Sequence, residues 1–99
     1  MLYGSLIRDQ LIRLGQAFAA ATGTGITVVA RDHARDSYFF RRIERSGVTF
    51  TVATADRVIC SIARAWPADR PWPDGIPRPS EDEIQAVIQE APHGREAAV

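Results

Sequence analysis

The chain has 99 residues, 45% of them apolar and 24% charged, with no net charge, which is enough for one small domain and not for two. That balance excludes wholesale disorder, and no apolar run approaches the ~20 residues needed to cross a membrane. A single cysteine, Cys60, excludes an internal disulfide and fits a reducing cytoplasm, and the first residues show no basic stretch leading into a long apolar one, so no secretory signal is expected.

Residues 5–22 read as a helix. Ile7, Leu11, Leu14, Phe18 and Ala21 recur on one helical face, Ser5 is placed to cap the start, and Asp9 precedes Arg13 by one turn. Gly23 and Gly25 then mark a turn. Residues 26–34 support two readings. Ile26-Thr27-Val28-Val29 has the β-branching of a strand, yet Ile26, Val29, Ala30 and His33 share a helical face. Residues 37–45 read as a short helix capped by Asp36, with Phe40 and Ile43 on its inner side and Gly47 as a stop. Residues 48–52 alternate like a strand. From Thr51, a good cap, a second strong helix runs over 52–65 with Ala55, Ile59, Ile62 and Trp66 as its stripe.

Five of the six prolines fall within 67–79, which predicts an extended connector pinned by Trp66, Trp72 and Ile76. A last helix is expected over 80–91. Ser80 and Glu83 form a capping box, Glu81, Asp82 and Glu83 suit the positive helix end, and Pro92 is the expected stop before a frayed tail. The resulting organisation is a helical domain over 1–66, a proline-rich connector over 67–79, and an acidic C-terminal helix with its tail over 80–99. An all-α bundle of five helices is the leading reading. Strands at 26–30 and 48–53 are the alternative.

The zero net charge conceals a gradient: +1 over residues 1–30, +3 over 31–70 and −4 over 71–99. All twelve basic residues are arginine, whose planar fork suits phosphate and guanine, although a GC-rich genome also favours arginine codons. No nucleophile elbow, phosphate loop or metal-ligand spacing is present, and His33 and His93 lie far apart, so neither an enzyme nor a metal or other cofactor site is expected. The segment that stands out is Asp36-Ser37-Tyr38-Phe39-Phe40-Arg41-Arg42-Ile43-Glu44-Arg45-Ser46-Gly47. Its apolar positions can face a core while its arginines face outward, as on a helix lying in a DNA major groove.

Residues 26–65 resemble the helix-turn-helix core of Cro/C1-type (XRE-like) DNA-binding proteins, and especially small proteobacterial and phage-borne members. Ala30 falls on the small position of the scaffold helix and Ala34-Arg35 on the turn. Asp36 and Phe39 match an Asp-x-x-Phe opening of the recognition helix. Ile43-Glu44-Arg45-Ser46-Gly47 resembles its stop, and the segment from Thr51 to Val58 resembles the capped helix that follows. Ala34 stands where the class usually has glycine.

The resemblance implies a lambda-repressor-like bundle that binds double-stranded DNA as a transcriptional regulator, such as a repressor, acting as a homodimer. Carried onto this chain, Ser37, Tyr38, Arg41 and Arg42 are the base-contact candidates, and Arg31, Arg35, Arg45 and Thr51 the phosphate-contact candidates. Phe39 is either a packing wedge or an apolar contact to a thymine methyl. Ile84, Val87 and Ile88 form the expected dimer or partner face of the last helix. The competing reading is a protein-interaction module (an antiactivator, antitoxin or inhibitor) that keeps the fold without DNA binding, which the zero net charge favours.

Overall fold

The computed structural model describes the backbone of residues 2–46 and 50–98, and the side chains of 5–45 and 50–89. Five α-helices follow one another: α1 (Leu2–Thr22), α2 (Ile26–His33), α3 (Phe39–Ser46), α4 (Val52–Ala65) and α5 (Glu81–Ala98). No strand occurs among the described residues: the proposed strand at 26–30 is helical, and of the one at 48–53 residues 48 and 49 lie outside the described residues while 52 and 53 open α4. α1 is the spine of the bundle. It packs on α2, α3 and α4, while α5 packs on α4. One buried cluster joins Leu11, Leu14 and Phe18 of α1, Val29 and Ala30 of α2, Phe39, Phe40 and Ile43 of α3, and Ala55, Val58 and Ile62 of α4.

The segment over 26–33 shows which signal prevails. Its β-branched run costs a few tenths of a kcal/mol per residue in a helix. As a helix the segment turns Val29 and Ala30 onto the core shared with α1, α3 and α4, and each is only 1% exposed. Burial of one valine side chain stabilises by about 1.5–3 kcal/mol, which outweighs the propensity cost.

The helix ends follow local chemistry. Gly23 takes φ 69° and Thr24 N–H returns to the Ala19 carbonyl at 2.9 Å, which closes α1 as a glycine-terminated motif. α1 starts at Leu2 and not at Ser5, so Ser5 lies inside the helix. Serine costs little within a helix, so its presence does not force a terminus. The expected Asp9–Arg13 pairing also gives way. Asp9 lies 3.9 Å from Arg8, and Arg13 donates to the Asp74 carbonyl at 2.9 Å. At α4 the Thr51 hydroxyl accepts from Thr54 N–H at 3.0 Å, as its capping role requires. At α5 the capping box closes in both directions: Glu83 N–H donates to Ser80 Oγ at 3.1 Å and Ser80 N–H to Glu83 Oε1 at 2.8 Å. Pro92 does not end α5, which continues to Ala98. A proline removes one backbone donor but keeps a helical φ, so a helix can run through it at a cost in stability. Gly47, the expected stop of α3, lies outside the described residues.

The proline-rich segment is fastened to the bundle. Trp66 and Ile76 belong to the core cluster, and the Trp66 and Trp72 rings lie 5.0 Å apart. Each indole N–H is satisfied nearby, by the Arg70 carbonyl at 2.9 Å and the Ile76 carbonyl at 2.7 Å. Arg13 and Gln10 of α1 bond the carbonyls of Asp74 and Gly75, which turn with Gly75 at φ 81°. The segment therefore brings α5 back onto α4. Ile84, Val87 and Ile88 are half-buried there.

His33 ties α2 to α4 through a 2.7 Å hydrogen bond between Nδ1 and Ser61 Oγ, and its ring stands edge-on to Phe18 at 5.0 Å. Burial lowers its pKa from the usual 6.5, and Asp32 pulls weakly the other way. The unfolded chain therefore binds more protons than the folded one between the lowered value and 6.5. Stability from this group is complete above pH 6.5 and falls as pH drops below it. Denaturant midpoints measured from pH 8 down to pH 5 are expected to hold steady and then decline below 6.5. His33→Gln should flatten that part of the curve, and an unchanged decline would refute the assignment.

Candidate nucleic-acid interface

α2 and α3 are joined by residues 34–38, and the reversal falls on Arg35, whose φ of 57° is left-handed. A side chain there costs roughly 1 kcal/mol, which a glycine would avoid. The positive-φ position is thus one residue beyond Ala34, the position that the resemblance noted from the sequence would give to glycine. Ala34 N–H and Asp36 N–H both return to the Ala30 carbonyl, at 2.9 and 3.3 Å, and tighten the turn.

Asp36 governs the entry to α3. Its Oδ1 accepts from Tyr38 N–H at 3.0 Å, and Phe39 N–H bonds the Asp36 carbonyl at 3.0 Å. The helix begins at Phe39, so Ser37 and Tyr38 belong to the turn and not to α3 as their spacing suggested. Oδ2 of the same carboxylate pairs with the Arg42 guanidinium. That guanidinium first, and the Tyr38 amide second, hold the Asp36 carboxyl below the usual carboxylate range, so it is charged at neutral pH.

α3 divides sharply between two faces. Phe39, Phe40 and Ile43 are 4%, 3% and 1% exposed and point into the core, so Phe39 is a packing residue; its ring meets Phe40 edge-on at 5.2 Å. At 100° per residue, positions 38, 41, 42 and 45 fall on the opposite side. Arg41, Arg42 and Arg45 are exposed there, and Tyr38 is 64% exposed at the head of the stripe. Glu44 is exposed but lies off to one side of it. Arg41 and Arg45 are exposed and form no ion pair among the described residues.

The other candidates differ in their availability. Ser37 is half-buried beside the stripe. Arg35 is exposed at the turn. Arg31 is exposed on α2 but bonds its neighbour Asp32 at 3.0 Å, which partly neutralises it. The Thr51 hydroxyl is taken up by the cap, donating to Thr54 Oγ1 at 2.9 Å while accepting from Thr54 N–H. Arg57, one turn further along α4, is exposed and reaches Thr54 Oγ1 at 3.4 Å. It adds a cation that the motif reading passed over, and its only sequence signal is membership of the basic middle segment.

The remaining chemistry is sparse. Among the described residues no three His, Cys, Asp or Glu side chains group to hold a metal ion, and no helix is long and apolar enough to cross a membrane. Cys60 is buried, and that burial, aided by Asp56 and Glu83, pushes its thiol pKa up and keeps it protonated. An open depression of about 340 Å³ lies where α4 meets α5, lined by Arg64, Trp66, Arg78, Ile84 and Gln85, apart from the arginine stripe. No protein-family model matches the chain, and neither a curated protein nor a solved structure does.

Proposed function

We propose that the protein binds double-stranded DNA through α3 and acts as a sequence-specific transcriptional regulator in the cytoplasm, without chemistry of its own. The observation that carries this reading is the division of α3. Its inner face is locked into the core by Phe39, Phe40 and Ile43, while Tyr38, Arg41, Arg42 and Arg45 form a contiguous outer stripe. A short helix held this way can enter a major groove about 12 Å wide, with its first turn toward the base edges. Arg41 and Arg42, in that first turn, are the proposed base readers, with Tyr38 and Ser37 beside them. Arg45, Arg35, Arg31 and Arg57 are the proposed phosphate contacts. At Thr51 the backbone at the start of α4, and not the occupied hydroxyl, is the group offered to phosphate.

One recognition helix of eight residues spans only a few base pairs, so useful affinity calls for two copies on half-sites one helical turn apart. The proposed dimer face is the part of α5 left open beside its packing on α4, around Ile84, Val87 and Ile88. Selection of bound duplexes from a random pool, at stated salt, tests the reading. An enriched motif of two related half-sites is expected. Recovery of no motif would favour the protein-interaction alternative.

A further inference from the structure

We infer that the depression where α4 meets α5 is a binding site for a small monocarboxylic acid with an aromatic or apolar body, a site separate from the arginine stripe and independent of the DNA reading. The hollow measures about 340 Å³, at the lower end of the range for small-ligand sites, and it opens between helices, where such sites commonly form. Three elements build it. Arg64 and Trp66 come from the end of α4, Arg78 from the proline-rich segment, and Glu81, Ile84 and Gln85 from the start of α5.

The apolar wall is held in place. Trp66 is 9% exposed, its indole N–H donates to the Arg70 carbonyl at 2.9 Å, and its ring lies 5.0 Å from that of Trp72. Ile84, half-buried, adds a second apolar surface. The remaining lining is charged or polar. Arg64 and Arg78 are exposed, and neither makes a hydrogen bond or ion pair among the described residues. Arg78 is positioned all the same, because its guanidinium carbon stands 5.1 Å from the centre of the Trp72 ring. A cation–π contact of this kind restricts the side chain and still leaves N–H donors for an acceptor. In a segment of net charge −4, Arg78 is one of two cations, and the fold brings it to the same hollow as Arg64. Two guanidinium groups on one hollow suit a carboxylate, and the apolar wall suits the body attached to it. Glu81 limits the charge that fits. An acidic side chain in the same lining opposes a second negative charge, so a monoanion is favoured over phosphate or a dicarboxylate. A ligand seated there touches α4, the connector and α5 together, and so fastens the acidic helix to the bundle.

Phenylacetate is the probe, with phenylacetamide as the same shape without the charge and inorganic phosphate as charge without the apolar body. Binding to the isotope-labelled full chain is followed by NMR titration at constant pH and ionic strength. Phenylacetate is expected to shift the Trp66 indole and the Ile84 and Gln85 amides along one saturating curve, with half-saturation on the order of 1 mM for so small a molecule. Phenylacetamide should bind about tenfold more weakly, as a lost charge-assisted hydrogen bond implies, and phosphate should give no saturating shift at these signals. Arg64→Gln and Arg78→Gln should each weaken phenylacetate about tenfold and leave phenylacetamide unchanged. Both side chains are exposed, so both variants are expected to unfold close to the parent temperature, and the comparison of acid with amide in the parent stands without them. Shifts that stay linear in phenylacetate to tens of millimolar overturn the inference. Equal affinity for acid and amide, unchanged binding in both variants, or equal saturation by phosphate overturns it as well.

Discussion

Phe40→Ala is expected to destabilise the protein by about 3–5 kcal/mol, a large part of the 5–15 kcal/mol that holds a typical domain together. The ring is 3% exposed and its far edge lies against α1 at Gly15. A Cβ built on Gly15 would come within 2.7 Å of Phe40 Cζ and 3.1 Å of Ile26 Cδ1. That glycine therefore lets α1 lie close to both α2 and α3, and Phe40 fills the space it leaves. The reciprocal change has two opposed terms. Gly15→Ala gains about 1 kcal/mol in helix propensity, while overpacking costs typically 1–3 kcal/mol. The structure favours the second term, because the atom in the way belongs to a buried ring packed edge-on against Phe39. Gly15→Ala should thus lower the denaturant midpoint, and Phe40→Leu in the same chain should restore part of it. Equilibrium unfolding of the two single variants and the double measures the coupling. Additive effects would mean that Gly15 and Phe40 do not share a contact.

This pair also shows why the packing was only partly legible in the sequence. The apolar periodicity of Leu11, Leu14 and Phe18 marked the buried face of α1 correctly, and each of the three is buried. Gly15 adds nothing to a hydrophobic pattern, since its role is to be absent where Phe40 arrives from a helix 25 positions later. Elements with a short-range cause were legible in detail. The Ser80–Glu83 box and the Thr51 cap are each closed by atoms three residues apart, and both formed as their residue types implied. Starts and stops inferred from one residue type were less secure. Ser5 lies inside a helix and Pro92 is passed through, because neither residue forbids the helical backbone.

The candidate interface divides in the same way. The alternation of apolar residues and arginines over 38–45 showed which side chains would face outward, and Arg41, Arg42 and Arg45 do so. The Asp36–Arg42 ion pair was not legible. Familiar helical pairs are three or four residues apart, and this one spans six, from a turn into the first turn of α3. It depends on the reversal at Arg35 that swings the Asp36 carboxylate over the helix start. The placement of α5 was equally hidden. An extended stretch of prolines can reach in any direction, and its path is set by Trp66, Ile76 and the α1 side chains Gln10 and Arg13 that grip it.

Arg45→Ala and Arg41→Ala are expected to weaken DNA binding in different ways, and the difference tests how α3 lies in the groove. Arg41 occupies the first turn, where a recognition helix meets base edges, so its loss should cost about 1–3 kcal/mol and relax preference at one base pair. Arg45 lies one turn further along the same exposed stripe, where the proposed reading has it meet phosphate. Its loss should weaken every duplex about equally and reduce the slope of log K against log salt by about 0.9, the release of one phosphate counterion. Both side chains are exposed and outside the core cluster, so neither variant should change the unfolding midpoint by more than about 0.5 kcal/mol. The double variant should combine the two signatures, since an altered base preference and a shallower salt slope arise from separate contacts. Titrations of the selected duplex and a scrambled one at four salt concentrations measure both. If Arg41→Ala lowers the slope and leaves preference intact, while Arg45→Ala relaxes it, the helix lies in the groove with its C-terminal end toward the bases, and the proposed orientation is wrong.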